Sequence, residues 1–196
     1  MELDRTTSKV RTRLVETADR LFYAEGIRAV GIDRIIAEAK VAKMSLYKHF
    51  PSKDDLIEAV LRHRDECFFR FFRSAIERHS DGSQLGGPLG ALFAAQKEWF
   101  ESPGFRGCAF INASVELTDP DHPAAAVVRD HKRRFHELIG EMVAAAVGGP
   151  SPHAASVAVL VEGAIVSAVI QRSADATDVA RDAAFRLLGI KTHHKR

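Results

Sequence analysis

The stretch "VAKMSLYKHFPSKDDL", Val41 to Leu56, decides how this chain is read. It sets Lys43, Lys48 and Lys53 around Tyr47, His49 and a Phe50-Pro51 stop. A core helix would not gather cations and then break at once. Ser52 reads as an N-cap, with Asp54 and Asp55 in the following first turn, where the helix dipole favours anions. Upstream, Gly31 to Ala39 carries Ile32, Ile35 and Ile36 at helical spacing. Two short helices, Gly31 to Ala39 and Lys43 to His49, joined by a tight turn, have the lengths of a helix-turn-helix. In that motif the second helix enters the major groove and offers its N-terminal residues to base edges. Here those residues are Lys43, Met44 and Ser45, with Lys48 one turn further on.

Charge is distributed to match. The whole chain of 196 residues has a formal net charge of only +2. From Arg5 to Lys53, however, 11 Lys/Arg stand against 5 Asp/Glu, and the remainder carries 17 against 21. A basic front and a mildly acidic body imply that the front faces a polyanion, either nucleic acid or an anionic membrane surface. Val41, Leu46 and Phe50 are spaced to pack against Ile32, Ile35 and the first helix, which leaves Lys43, Met44, Ser45, Tyr47, Lys48 and His49 outward. Because packing accounts for the apolar residues of these basic helices, nucleic acid is the expected partner and a membrane is not.

Helical period dominates the rest, and strand signals are nearly absent. Amphipathic segments are expected at Ser8 to Glu25, Lys53 to His79, Leu89 to Glu101, Cys108 to Glu116, Ala124 to Val147, His153 to Arg172 and Ala176 to Leu188. "SDGSQLGGPLG" and "TDPDHP" read as loops. The expected fold is all-α, with about nine helices: a three-helix helix-turn-helix domain over residues 1–52, then a helical domain over residues 53–196. The apolar run Ala154 to Ile170 carries Glu162 and Gly163 at its middle and reads as a buried helix, not a membrane span. Cys67 and Cys108 have no paired spacing, and the N-terminus lacks the apolar core of a signal peptide, so a reducing cytoplasmic setting is expected. No "HExxH", "GxSxG", Walker or "GxGxxG" element occurs, and the nine His lack metal-ligand spacing, so neither an enzyme nor a cofactor nor a metal is expected. A helical enzyme or a scaffolding protein without DNA binding stands as the alternative.

"GIDRIIAEAKVAKMSLYKHFPSKDDLI", Gly31 to Ile57, resembles the DNA-binding signature of the tetracycline-repressor (TetR) family, as does the preceding "ADRLFYAEG". The likeness is close over the first third of the chain and rests beyond it on helix count and order. It implies a dimeric transcriptional regulator that binds double-stranded, palindromic operator DNA, most simply a repressor released by a small molecule. By position, Tyr47, His49 and Lys53 would contact phosphate, and Lys43, Met44, Ser45 and Lys48 would face the groove. Three places depart from the family pattern: Gly31 stands at the second helix's cap, Lys40 where the turn usually has Gly, and Met44 where a small residue is usual.

The resemblance also implies an effector cavity among the central helices, and Phe68, Phe72, Trp99 and Phe135 are candidates to line it. Ordinary core packing would place aromatics there equally well. Cys108, Asn112 and Glu116 fall at i, i+4, i+8, with His131 on the next long helix. They would orient a mostly apolar ligand, or be satisfied by capping and salt bridges. For pairing of two chains, Val157, Leu160, Val161, Ala164, Ser167, Ala168 and Gln171 recur at three- and four-residue spacing. With Phe185 and Leu188 they would build an isologous four-helix interface; the alternative is intramolecular core.

Overall fold

The computed structural model describes residues 2–81 and 85–191, with side chains from residue 9 onward. Residues 82–84 of the expected first loop lie outside the described residues. Among the described residues there are nine helices and no strand: α1 (Glu2–Glu25), α2 (Ile32–Ala39), α3 (Lys43–His49), α4 (Lys53–His79), α5 (Gly87–Glu101), α6 (Ala109–Glu116), α7 (Pro123–Val147), α8 (Ala154–Gln171) and α9 (Ala176–Leu188). The expected boundaries agree within a residue or two, except that α1 begins at Glu2. Its first turns are polar, so apolar periodicity gives no sign of them.

The chain forms two compact units. The first comprises Met1–Cys67 with Cys108–His131, and the second Phe68–Gly107 with Lys132–Arg196. In the first, α1, α2 and α3 pack on one another. Leu14, Ala18 and Leu21 of α1, Ile35 of α2 and Leu46 of α3 are buried, with Phe50, Leu56 and Ile57 beyond them. Ile32 and Ile36 are half-buried, so Ile35 and Ala39 carry most of α2's contribution to the core.

Local chemistry sets the turns. Lys40 ends α2 in the left-handed conformation (φ 52°, ψ 50°), with Lys40 N–H donating to Ala37 O and Val41 N–H to Ile36 O. This positive φ at a non-glycine residue carries a steric cost of about 1–2 kcal/mol relative to glycine. Gly31 caps α2 from extended backbone without a side-chain bond. At α4 the cap is reciprocal: Asp55 N–H donates to Ser52 Oγ (3.1 Å), and Ser52 N–H donates to Asp55 Oδ2 (2.9 Å). This capping box satisfies two end groups that helix hydrogen bonding leaves over.

In the second unit α8 lies on α9, and both contact α5. By length and composition α8 is apolar enough to cross a membrane, with a mean hydropathy of 1.9 over 18 residues. It nonetheless belongs to this unit's core, where Val157, Val161 and Ile165 are buried and the Gln96 amide donates to Val161 O (2.9 Å). Glu162, its one acid, is paired with Lys132 (2.7 Å).

Candidate nucleic-acid interface

The expected reading helix, α3, is built from its buried side outward. Leu46 and Phe50 are 0% and 2% exposed, and they fix α3 against α1 and α2. The guanidinium of Arg11 sits 5.2 Å from the Phe50 ring centre, a cation–π contact that covers the same anchor. Helical period then turns Lys43, Met44, Tyr47 and Lys48 to solvent, with Met44 81% exposed and Tyr47 42% exposed. Ser45 and His49 are half-buried. Met44, Ser45, Tyr47 and Lys48 together line one concave patch of the surface.

Two of the three lysines are already engaged. Lys43 Nζ lies 3.0 Å from Asp33 Oδ1, and hydrogen bonding to that carboxylate holds the Lys43 pKa above its ordinary value. Lys53 Nζ donates to Ile27 O at 2.6 Å, within the first unit, and burial lowers its pKa against the opposing pull of Asp54 and Glu116. The ammonium expected to meet phosphate is therefore turned inward to the α1–α2 turn. The reason is geometric: the start of α4 passes that turn, and an amine on a four-carbon stem reaches the nearest carbonyl. Lys48, like Lys43, is exposed on α3.

Sequence reasoning missed the partners. Asp33 is ten residues from Lys43, a separation with no helical periodicity to flag it. Arg20, Glu38, Arg34 and Glu25 form a chain of ion pairs linking α1 to α2, including Arg34–Glu25 at 2.6 Å and Arg34–Glu38 at 3.1 Å. Hydrogen bonds first from Arg20 and then from Arg34 hold the Glu38 carboxyl below its usual range. Only the i,i+4 pair Arg34–Glu38 had a sequence signature.

The expected effector residues separate by unit. Phe68, Phe72, Trp99 and Phe135 do come together in the second unit. Phe68 lies 4.4 Å from Phe72, 5.5 Å from Trp99 and 5.1 Å from Phe135, centre to centre. In the first unit Asn112 and Glu116 line a cleft with about 20 Å³ open to water, far below the size of a drug-sized ligand site. Cys108 is buried at the N-cap of α6 and is not part of that cleft. His131 is buried, its Nδ1 2.7 Å from Asp65 Oδ1 and its ring stacked on Phe110 at 3.5 Å. Glu116 accepts the backbone N–H of Arg28 (2.9 Å), so its carboxylate has a structural partner.

The expected pairing residues divide by burial. Val157, Val161, Ala164, Ala168 and Phe185 are buried within the single chain, and Phe185 packs edge-on to Phe93. That stripe is α8's inner face. Leu160, Ser167 and Leu188 are half-buried, and only Gln171 of the nine is exposed. The uncovered apolar surface is the opposite one, with Val159, Val166 and Ile170 of α8 and Val179 of α9 between 45% and 75% exposed.

The family model of bacterial regulatory proteins, tetR family, matches residues 14–60, which span α1 from Leu14 to the start of α4. Among solved structures, a TetR-family transcriptional regulator from Streptomyces coelicolor is 36% identical, covering 93% of this chain and 95% of its own, with a TM-score of 0.76. A putative regulator of the same family from Streptomyces avermitilis is 25% identical over 93% of this chain and 99% of its own, also with a TM-score of 0.76. The transcriptional repressor KstR2 of Rhodococcus jostii is 28% identical over 125 residues, 64% of this chain and 51% of KstR2. The chain spans about half the length of the curated relatives it matches. These relatives are named as regulators and repressors, not as enzymes. With a 36% identical counterpart matched almost end to end and the braced, outward α3 in place, the chain belongs to the tetR family of bacterial regulatory proteins.

Proposed function

We propose that the chain is a dimeric, ligand-responsive transcriptional regulator that represses by binding a palindromic operator and is released by a small molecule. The head of residues 1–52 would read DNA, and residues 53–196 would pair the chains and receive the effector. The observation that carries this reading is α3: a short helix locked from behind by Leu46 and Phe50, with Met44, Tyr47 and Lys48 exposed on its outer side. Tyr47 and His49 suit phosphate oxygens, which fix register without reading sequence, while Met44, Ser45 and Lys48 suit base edges. Lys53 supports the reading helix from inside, through Ile27 O, and the opening backbone of α4 supplies the phosphate contact at a helix N-terminus.

Pairing follows from the exposed apolar side of α8 and α9, a surface that a second copy would cover by two-fold symmetry. Two heads spaced about 34–36 Å apart then meet successive major grooves. A ligand that binds the body better in another head spacing weakens operator binding, and operator weakens ligand binding by the same factor. The test is selection of bound sites by the full chain from a random duplex library. A two-fold symmetric motif is expected, with affinity falling steeply against log[salt]. Recovery of no enriched sequence would overturn the proposal.

A further inference from the structure

The outer surface of α3 is not a uniform basic face. At its N-terminal end, where base reading is concentrated, Lys43 is held by Asp33 at 3.0 Å and the next residue is the 81%-exposed Met44. Tyr47 and Lys48 follow Met44 at i+3 and i+4, so all three share one side of the helix. The concave patch they form with Ser45 has an apolar half, the Met44 thioether and the Tyr47 ring, and a cationic rim at Lys48. The rim and the basic segment around it match a polyanion. The apolar half calls for something else.

Among base edges in the major groove, the distinctive apolar feature is the C5-methyl of thymine; the other edge groups are donors and acceptors. A flexible, polarisable thioether adapts its shape to a small methyl group. Guanine, the usual target of a lysine at this end of a reading helix, is disfavoured because the Lys43 ammonium is already engaged and Asp33 adds a carboxylate beside it.

Resting on the regulator reading above, we propose that Met44, walled by Tyr47, seats a thymine C5-methyl group, so that each operator half-site carries one thymine selected through its methyl. Met44 is then a specificity-determining residue, and Lys48 at the rim holds the backbone or a neighbouring base.

The experiment uses the full chain and the duplex recovered by library selection. Each thymine of a half-site is replaced in turn by deoxyuridine, which removes the methyl and leaves every hydrogen-bonding group. One position per half-site is expected to weaken binding by about fourfold, the factor associated with burying a single methyl group. Met44→Ala, at an exposed site that leaves the fold alone, is expected to lose about the same factor on the thymine duplex and to become indifferent to deoxyuridine there. No sensitive position, or a penalty that persists unchanged in Met44→Ala, overturns the proposal while leaving the regulator reading intact. Failure to recover any motif removes both at once.

Discussion

Asp33 sets how much free cation α3 offers. Its carboxylate sits at the start of α2 and binds the ammonium at the start of α3, with both side chains more than half exposed. Such a pair contributes little to folding, because water and salt screen it. Its effect is on availability: a lysine held by an acid must leave that acid before it neutralises a phosphate. Asp33→Asn is therefore expected to tighten binding to all duplexes and to steepen the slope of log K against log[salt] by about 0.9, one further phosphate contact. An unchanged slope would show that Lys43 does not reach DNA even when released. The pH sign is also fixed. The Lys43 pKa is raised in the fold, so the pair is fully present below the unfolded value near 10.4 and is lost only above it. The Asp33→Asn effect should then be flat from about pH 6 to 9. Exposure of Met44 and Lys48 was legible in the sequence, because helical period places them across the helix from Leu46, whereas Ser45 and His49, read as outward too, are half-buried. The inward turn of Lys53 was not, since it depends on a carbonyl 26 residues away.

Between elements, the α1–α2 turn is held from two sides. Lys53 at the head of α4 donates to Ile27 O, and Glu116 at the end of α6 accepts the N–H of Arg28. Gly26 makes the approach feasible: its φ is +96°, and a Cβ there would lie 3.2 Å from Glu116 Oε2. Gly26→Ala is expected to cost about 1–2 kcal/mol from backbone strain, read as a lower urea midpoint with unchanged m. Glu116→Ala removes the acceptor and should cost about 1 kcal/mol. Operator affinity should fall by more than this loss of global stability accounts for, since the turn it frees leads directly into α2. A loss confined to global stability would make Glu116 a cap and nothing more. The sequence left Glu116, Cys108 and Asn112 as either a ligand group or residues satisfied by capping and salt bridges, because only their i, i+4, i+8 spacing was visible. The structure brings Asn112 and Glu116 into one cleft and gives the carboxylate a backbone N–H 88 residues away, a long-range contact that no local pattern encodes.

For the whole molecule, α8 and α9 would decide, in the proposed dimer, whether there is one reading head or two. The apolar circumference of α8 was legible, but which side faces inward was not. A helix that is apolar all round gives almost no amphipathic direction, and small residues such as Ala164 and Ala168 fit a tight intrachain contact as well as an intersubunit one. Burial resolves the direction. Val159, Gly163, Val166 and Ile170 recur at i, i+4, i+7, i+11 and are exposed, with Val179 and Leu187 of α9. The two sides should therefore respond differently to substitution. Val161→Ala, on the inner side, should lower chain stability by about 2 kcal/mol through a cavity. It should leave the oligomeric state unchanged at temperatures where the chain is folded. Val166→Glu or Ile170→Glu, on the outer side, should leave the folded chain's helicity unchanged but bury a charge in any two-fold contact, which a pairing surface does not tolerate without a partner charge. Sedimentation should then report a monomer. Its affinity for a single half-site should match that of the parent, while affinity for the full palindrome falls by the one hundred- to ten thousandfold that linked binding typically supplies. A dimer that persists with Glu at both positions would place the contact on another surface and with it the axis that spaces the heads.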